Sequence, residues 1–238
     1  MPSQSEAIPV DLGAELRAVQ ILSFALHEAA FWAQDKLPEV LQKMTIPPLL
    51  LGASRAVALA SAGGLDTPVE IFALAARNTF ELYLRFKYLL QSNENCQTWR
   101  EEAPTDQLQI YEGFLKLNPP EQMRKVFESE MERVTQHAAG RGLEPKRLMT
   151  VRELARATNL DAEYDGFYKL YSKFIHPSSF LTNWPDAAST PMYREAFSYN
   201  LQVYGHLILS ELNELHGLPT SEILKNAELR LDGLLQPN

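Results

Sequence analysis

One stretch restricts the architecture of this chain more than any other: Ile71 to Leu90, IFALAARNTFELYLRFKYLL. Its apolar residues fall on nearly every side of a 3.6-residue helix, and such a helix has no solvent face to offer. It belongs in the middle of a bundle. Asp66-Thr67-Pro68 supplies the signals that start it: a polar cap, then proline in the first turn, then Glu70. Within it stand Arg77, Glu81 and Arg85, each four residues from the last, so the three share one face. Charges on a helix of this kind are costly to bury unless they are paired. They form either an ion-pair ladder that sets helix register or a polar pocket at the edge of the core.

The rest of the chain follows helical spacing punctuated by proline and glycine. Leu12, Leu16, Val19, Leu22, Leu26, Ala29 and Ala33 mark a helix from Leu12 to Lys36, behind a capping Asp11. Residues 1–10 are expected to be disordered and residues 11–238 to form a single helical domain. Pro38 opens a short helix to Met44, and Pro47-Pro48 is expected to break the chain before a helix from Leu49 to Ala62. Residues 92–105 read as a polar connection, helical in part, followed by a helix from Asp106 to Leu117. Pro119-Pro120 opens a strongly charged helix to Ala139. Thr150-Val-Arg-Glu153 has the pattern of a capping box. A helix from Ala162 to Ile175 ends at His176-Pro177. Residues 180–190, with Trp184, read as a loop. Pro191 to His216 is a long helix stopped by Gly217, and Ser221 to Leu235 is the last. The expected fold class is all-α, a single-domain helical bundle of about seven to nine helices.

Charge and cysteine content exclude several function classes. The 238 residues carry a net charge of -8, so the chain has no general attraction for a phosphate backbone and RNA binding is disfavoured. The most basic region, Arg124 to Arg156, is interleaved with Glu128, Glu130, Glu132, Glu144 and Glu153, as in a solvated face. Cys96 is the one cysteine. It excludes an internal disulfide and a cysteine-based zinc cluster, and its context, SNENCQTW, reads as a surface or half-buried thiol. His27, His137, His206 and His216 show no ligand spacing, so neither a metal nor a cofactor is expected. No phosphate-cradling glycine loop, HExxH pair or GxSxG elbow occurs. Arg55, Arg77, Glu81, Arg85 and Lys87 interrupt the most apolar stretches, which leaves no membrane span of about twenty uncharged residues. The expected location is cytoplasmic.

The chemistry-bearing residues concentrate in Tyr168 to Ser179, YKLYSKFIHPSS. Proline lacks an amide hydrogen and crowds the residue before it, so His176 leaves helical geometry at a helix C-terminus. Tyr168, Ser172 and His176 follow at spacings of four on one helical face, beside an apolar stripe of Tyr171, Phe174 and Ile175. The polar face is either a binding site or a hydrogen-bonded helix end.

RNTFELYLRFKYL from Arg77 to Leu89, followed by YSKFIHPSS from Tyr171 to Ser179, resembles a family of all-helical bacterial proteins of unknown function. That family is placed near the HEPN superfamily (higher eukaryotes and prokaryotes nucleotide-binding). The resemblance covers roughly residues 50 to 215. It implies a helical bundle in which Arg77, Glu81, Ser172 and His176 lie together, and a homodimer. HEPN relatives are often ribonucleases of toxin-antitoxin or phage-defence systems, with an arginine followed on the same helix by a histidine. Here no arginine occupies residues 169–171, where that motif would place it; the nearest basic residues are Lys169 and Lys173.

Two functions follow. In one, a metal-independent ribonuclease, His176 is general acid or base, Arg77 stabilises a phosphate and Glu81 orients Arg77. In the other, a non-catalytic helical module binds a protein partner or a small anionic ligand, with Tyr168, Ser172, Lys173 and Ser178 lining the site. The acidic charge and the missing arginine favour the second.

Overall fold

The computed structural model describes residues 11–235; the expectation of disorder at residues 1–10 lies outside them. Every regular element among the described residues is helical. In order they are α1 (Leu12–Lys36), α2 (Val40–Leu59), a single 3-10 turn (Gly64–Asp66), α3 (Val69–Gln91), α4 (Asn93–Lys116), α5 (Glu121–Gly140) and α6 (Val151–Ala157). There follow α7 (Asp161–Glu163), a π-helical turn (Tyr164–Tyr168), α8 (Lys169–Ile175), α9 (Ser179–Asn183), α10 (Pro185–Ala188), α11 (Pro191–His216) and α12 (Thr220–Leu235). The all-α class expected from the periodicity is what the chain adopts.

The structure falls into two compact units. Of the described residues, the first comprises 11–36, 47–83 and 162–235, and the second 37–46 and 84–161.

In the first unit, α1 packs on α11 and α12. Its contact stripe is the one spelled out by the sequence: Val19, Leu22, Leu26, Ala29 and Ala33 are all buried. Burial of each larger side chain contributes about 1.5–3 kcal/mol. No residue from 69 to 90 is exposed, as a helix apolar nearly all round requires. Phe80 and Tyr83 of α3 pack their rings against Tyr204 of α11. The end of α11 is also as expected: Gly217 takes the left-handed conformation, φ 76°, that glycine adopts without a Cβ penalty.

In the second unit, the core includes Leu84, Phe86, Leu89, Cys96, Leu154 and Ala155. Cys96 is fully buried, not half-exposed, and its thiol donates to the Leu89 carbonyl at 3.3 Å. Thr150 caps α6 with both hydrogen bonds of a capping box to Glu153.

Three expectations of broken helix are corrected. Pro47 and Pro48 lie inside α2, which runs through them. They leave the carbonyls four residues earlier without amide donors. The surrounding burial of Thr45, Ile46, Leu49 and Leu50 outweighs that loss. Residues 92–105 are helical from Asn93 and continuous with the following helix, because Ser92 caps the start by accepting from the Asn95 amide. Residues 180–190 hold two short helices, α9 and α10, instead of a loop, with Trp184 between them 68% exposed.

Candidate functional site

Arg77 and Glu81 stand on α3, Tyr168, Ser172 and Lys173 in the helical run 161–175, and His176 and Ser178 just after it; all seven residues lie within the first unit. That run contains a π turn at Tyr164–Tyr168, an extra residue that rephases the helix. Tyr164 and Tyr168 stack there with ring centroids 4.7 Å apart. Beyond the turn, Tyr171 and Phe174 are buried against Phe197 of α11, and Phe174 also against Tyr193. This apolar stripe fixes the helix and thereby the polar face beside it.

Arg77 is the hub of the polar face. Its Nε donates to Glu81 Oε1 at 2.7 Å and its NH2 donates to the Tyr168 hydroxyl at 2.6 Å. The guanidinium carbon lies 4.7 Å from the centre of the same tyrosine ring. The Arg77 and Glu81 side chains retain 21% and 30% of their exposure, so the pair sits at the edge of the core. Burial pulls the Arg77 guanidinium down, but the hydrogen bond and charge of Glu81 more than offset it and the group is held above its ordinary value. Burial pushes the Tyr168 phenol up, and the Glu81 carboxylate adds to the shift. The phenol is therefore neutral at physiological pH and serves Arg77 as an acceptor.

The remaining predicted residues are occupied differently. Ser172 donates its hydroxyl to the Tyr168 carbonyl at 2.9 Å, a helical back-bond that leaves it tied to its own turn. His176 has left helical geometry, φ −104° and ψ 149°, as the following proline dictates. Its side chain is exposed and has no hydrogen bond or ion pair to Arg77 or Glu81 among the described residues. Lys173 is exposed. Ser178 caps α9: its hydroxyl donates to the Lys173 carbonyl at 2.6 Å and accepts from the Leu181 amide at 3.2 Å. Arg77, Glu81 and Tyr168 thus form one contact group, with Ser172 linked to it through a backbone carbonyl.

Arg85, the third charge on the α3 face, belongs to the second unit and pairs with Glu102 of α4 at 3.0 Å. That pair is the more deeply buried, with side chains 13% and 2% exposed. Sequence spacing placed Arg85 beside Glu81 and held no signal for a partner on another helix. Tyr83, which donates to Glu211 at 2.8 Å, was missed for the same reason. Among the described residues no group of three or more His, Cys, Asp or Glu side chains is placed to hold a metal ion. No helix among the described residues is long and apolar enough to cross a membrane.

Fold and contact group together define an all-helical protein whose half-buried arginine is held between a carboxylate and a phenol. The chain belongs to the Family of unknown function (DUF5677), whose model matches residues 53–183 and so spans Arg77, Glu81 and Tyr168. No curated protein and no solved structure matches it.

Proposed function

We propose that this protein is a non-catalytic interaction module, and that its first partner is a second copy of itself, bound through one face of the α4–α5 hairpin. The observation that carries this reading is the bareness of that hairpin. No residue from 105 to 133 is buried, yet the segment includes Ile110, Phe114, Leu117, Met123 and Val126, exposed by 57%, 45%, 77%, 50% and 55%. Within the hairpin, Tyr111 and Phe114 face Phe127, with ring centroids 6.2 and 5.1 Å apart. Ile110, Phe114 and Leu117 rotate to one side of that contact line, and Met123 and Val126 rotate to the same side, because the helices run antiparallel. The result is a continuous apolar face.

Five side chains of this size offer on the order of 500 Å² per hairpin, so a symmetric pair would bury about 1,000 Å², enough for a specific interface. The Arg77 group fits a scaffold role. Arg77 already has its carboxylate, and Ser172 and Ser178 are committed to backbone groups.

Light scattering after size-exclusion chromatography tests the reading. At tens of micromolar the expected mass is twice 26.9 kDa, and Leu117→Glu with Val126→Glu should return it to the monomer without loss of helical circular dichroism. A wild-type monomer at that concentration overturns it.

A further inference from the structure

A cleft of about 400 Å³ lies in the second unit, lined from α4 by Arg100 and from α5 and its exit by Arg133, His137 and Arg141, over an apolar floor that includes Val134 and Leu143. We propose that this cleft binds a small organic anion, a phosphate or sulfate ester carried on a flat apolar body.

The argument begins with charge. The chain as a whole is at -8, yet three guanidiniums converge on one concavity. Arg133 is paired with Glu130 at 2.6 Å. Arg100 donates only to the neutral amide oxygen of Gln97, at 2.9 Å, and Arg141 has no side-chain ion pair or hydrogen bond among the described residues. Two guanidiniums in the cleft therefore lack a carboxylate. Like charges sharing a concave surface repel, and folding gains nothing from that arrangement. The C-terminal end of α5 favours a cation at Arg141 through the helix dipole. It does not account for Arg100, which stands in the middle of another helix.

Shape and chemistry then define the ligand. A cavity of this volume is at the small end of ligand sites, which are concave and apolar with a few convergent polar groups. Guanidinium donates in a planar fork that matches the oxygens of phosphate and sulfate monoesters. The floor of Val134, Ala138 and Leu143, the first two buried and the third partly so, suits an apolar ring rather than a bare ion. Arg133, His137 and Arg141 recur every four residues and so project along one side of α5, while Arg100 closes the cleft from α4.

Isothermal titration of the 238-residue chain with 1-naphthyl phosphate, at low ionic strength, tests the assignment. Binding is expected in the sub-millimolar range, at least tenfold tighter than inorganic phosphate, and weakened by added salt. Arg100→Gln with Arg141→Gln should reduce the affinity at least tenfold while the helical circular dichroism is kept. Arg141→Gln alone, at an exposed position, serves if the double variant fails to fold and should reduce it several-fold. Absence of binding up to about 5 mM overturns the proposal. So does binding that these substitutions leave unchanged, or inorganic phosphate binding as tightly as the naphthyl ester.

Discussion

Arg77 and Tyr168 are 91 residues apart in sequence and 2.6 Å apart in space. The arginine uses the tyrosine twice, as a hydrogen-bond acceptor and, with its guanidinium carbon 4.7 Å from the ring centre, as a cation–π partner. Tyr168→Phe separates the two contributions. It removes the hydroxyl and keeps the ring, so the expected loss is about 1 kcal/mol. Arg77→Ala removes both and leaves Glu81 without its cation. Because both charged side chains are partly solvated, about 2 kcal/mol is expected, below the range for a sealed pair. Urea denaturation of the single and double variants gives the coupling energy directly, and a coupling near zero would mean that the contact contributes nothing.

Arg85 and Glu102 form the sealed counterpart. With Glu102 only 2% exposed, Arg85→Ala strands a carboxylate in the core of the second unit. Glu102 also accepts from the Met149 amide at 3.4 Å, a contact too long to compensate. The expected loss is about 3 kcal/mol or more. Replacing both partners, Arg85→Met with Glu102→Leu, should restore most of that stability, since an apolar pair of similar volume avoids the desolvation of two charges. Chemical denaturation in which the double variant is weaker than Arg85→Ala would contradict the burial seen for this pair.

These two pairs mark how much of the molecule the sequence discloses. Helix identity is local: α1, α5, α6, α11 and α12 begin and end within a residue or two of where caps, prolines and Gly217 put them. At Pro47-Pro48 a local signal is overridden by context, since burial of the flanking residues decides, whereas at residues 92–105 the local cap at Ser92 starts the helix. The site was legible in part. The spacing of four that joins Arg77 to Glu81 is a property of one helix, whereas Tyr168 as partner depends on how two helices meet and on a π turn that no residue pattern announces. The cleft of the second unit divides in the same way. Arg133, His137 and Arg141 share a side of α5 on spacing alone, but Arg100 joins them only through packing.

Acid should weaken the second unit in a definite window. The Arg147 guanidinium, with further hydrogen bonds from Thr150, holds the Glu153 carboxyl at about 2, against an ordinary 4.5. Lys146, followed by Gln97, lowers the Glu101 carboxyl. A carboxylate whose pKa is depressed by folding contributes stability in full above its unfolded pKa and loses it as pH falls toward the folded one. The loss therefore starts near pH 4.5 and runs down toward pH 2. Thermal melts across that range should show wild type and Glu153→Gln differing at pH 7 and converging near pH 2. A difference that stays constant from pH 7 to pH 2 would exclude the ionised Glu153 as its source.

Gly205 of α11 lies close against Leu22 of α1. A Cβ built there would lie 2.6 Å from Leu22 Cδ2 and 3.1 Å from its Cγ, closer than side-chain carbons pack. Leu22 is 1% exposed and lies on the stripe that α1 presents, so it has little room in which to withdraw. Gly205→Ala gains helix propensity, about 1 kcal/mol, because glycine is the poorer helix former. Against this stands overpacking of a closed interface, typically 1–3 kcal/mol. The clash involves two atoms of one buried side chain, so the net effect expected is destabilisation. Leu22→Ala opens the same site and by itself should cost about 2–4 kcal/mol as a cavity. In the Leu22→Ala background the steric penalty disappears, and Gly205→Ala should become neutral or stabilising. The sign reversal is the measurement: equal ΔΔG for Gly205→Ala in both backgrounds would show that α1 and α11 do not meet through these two residues.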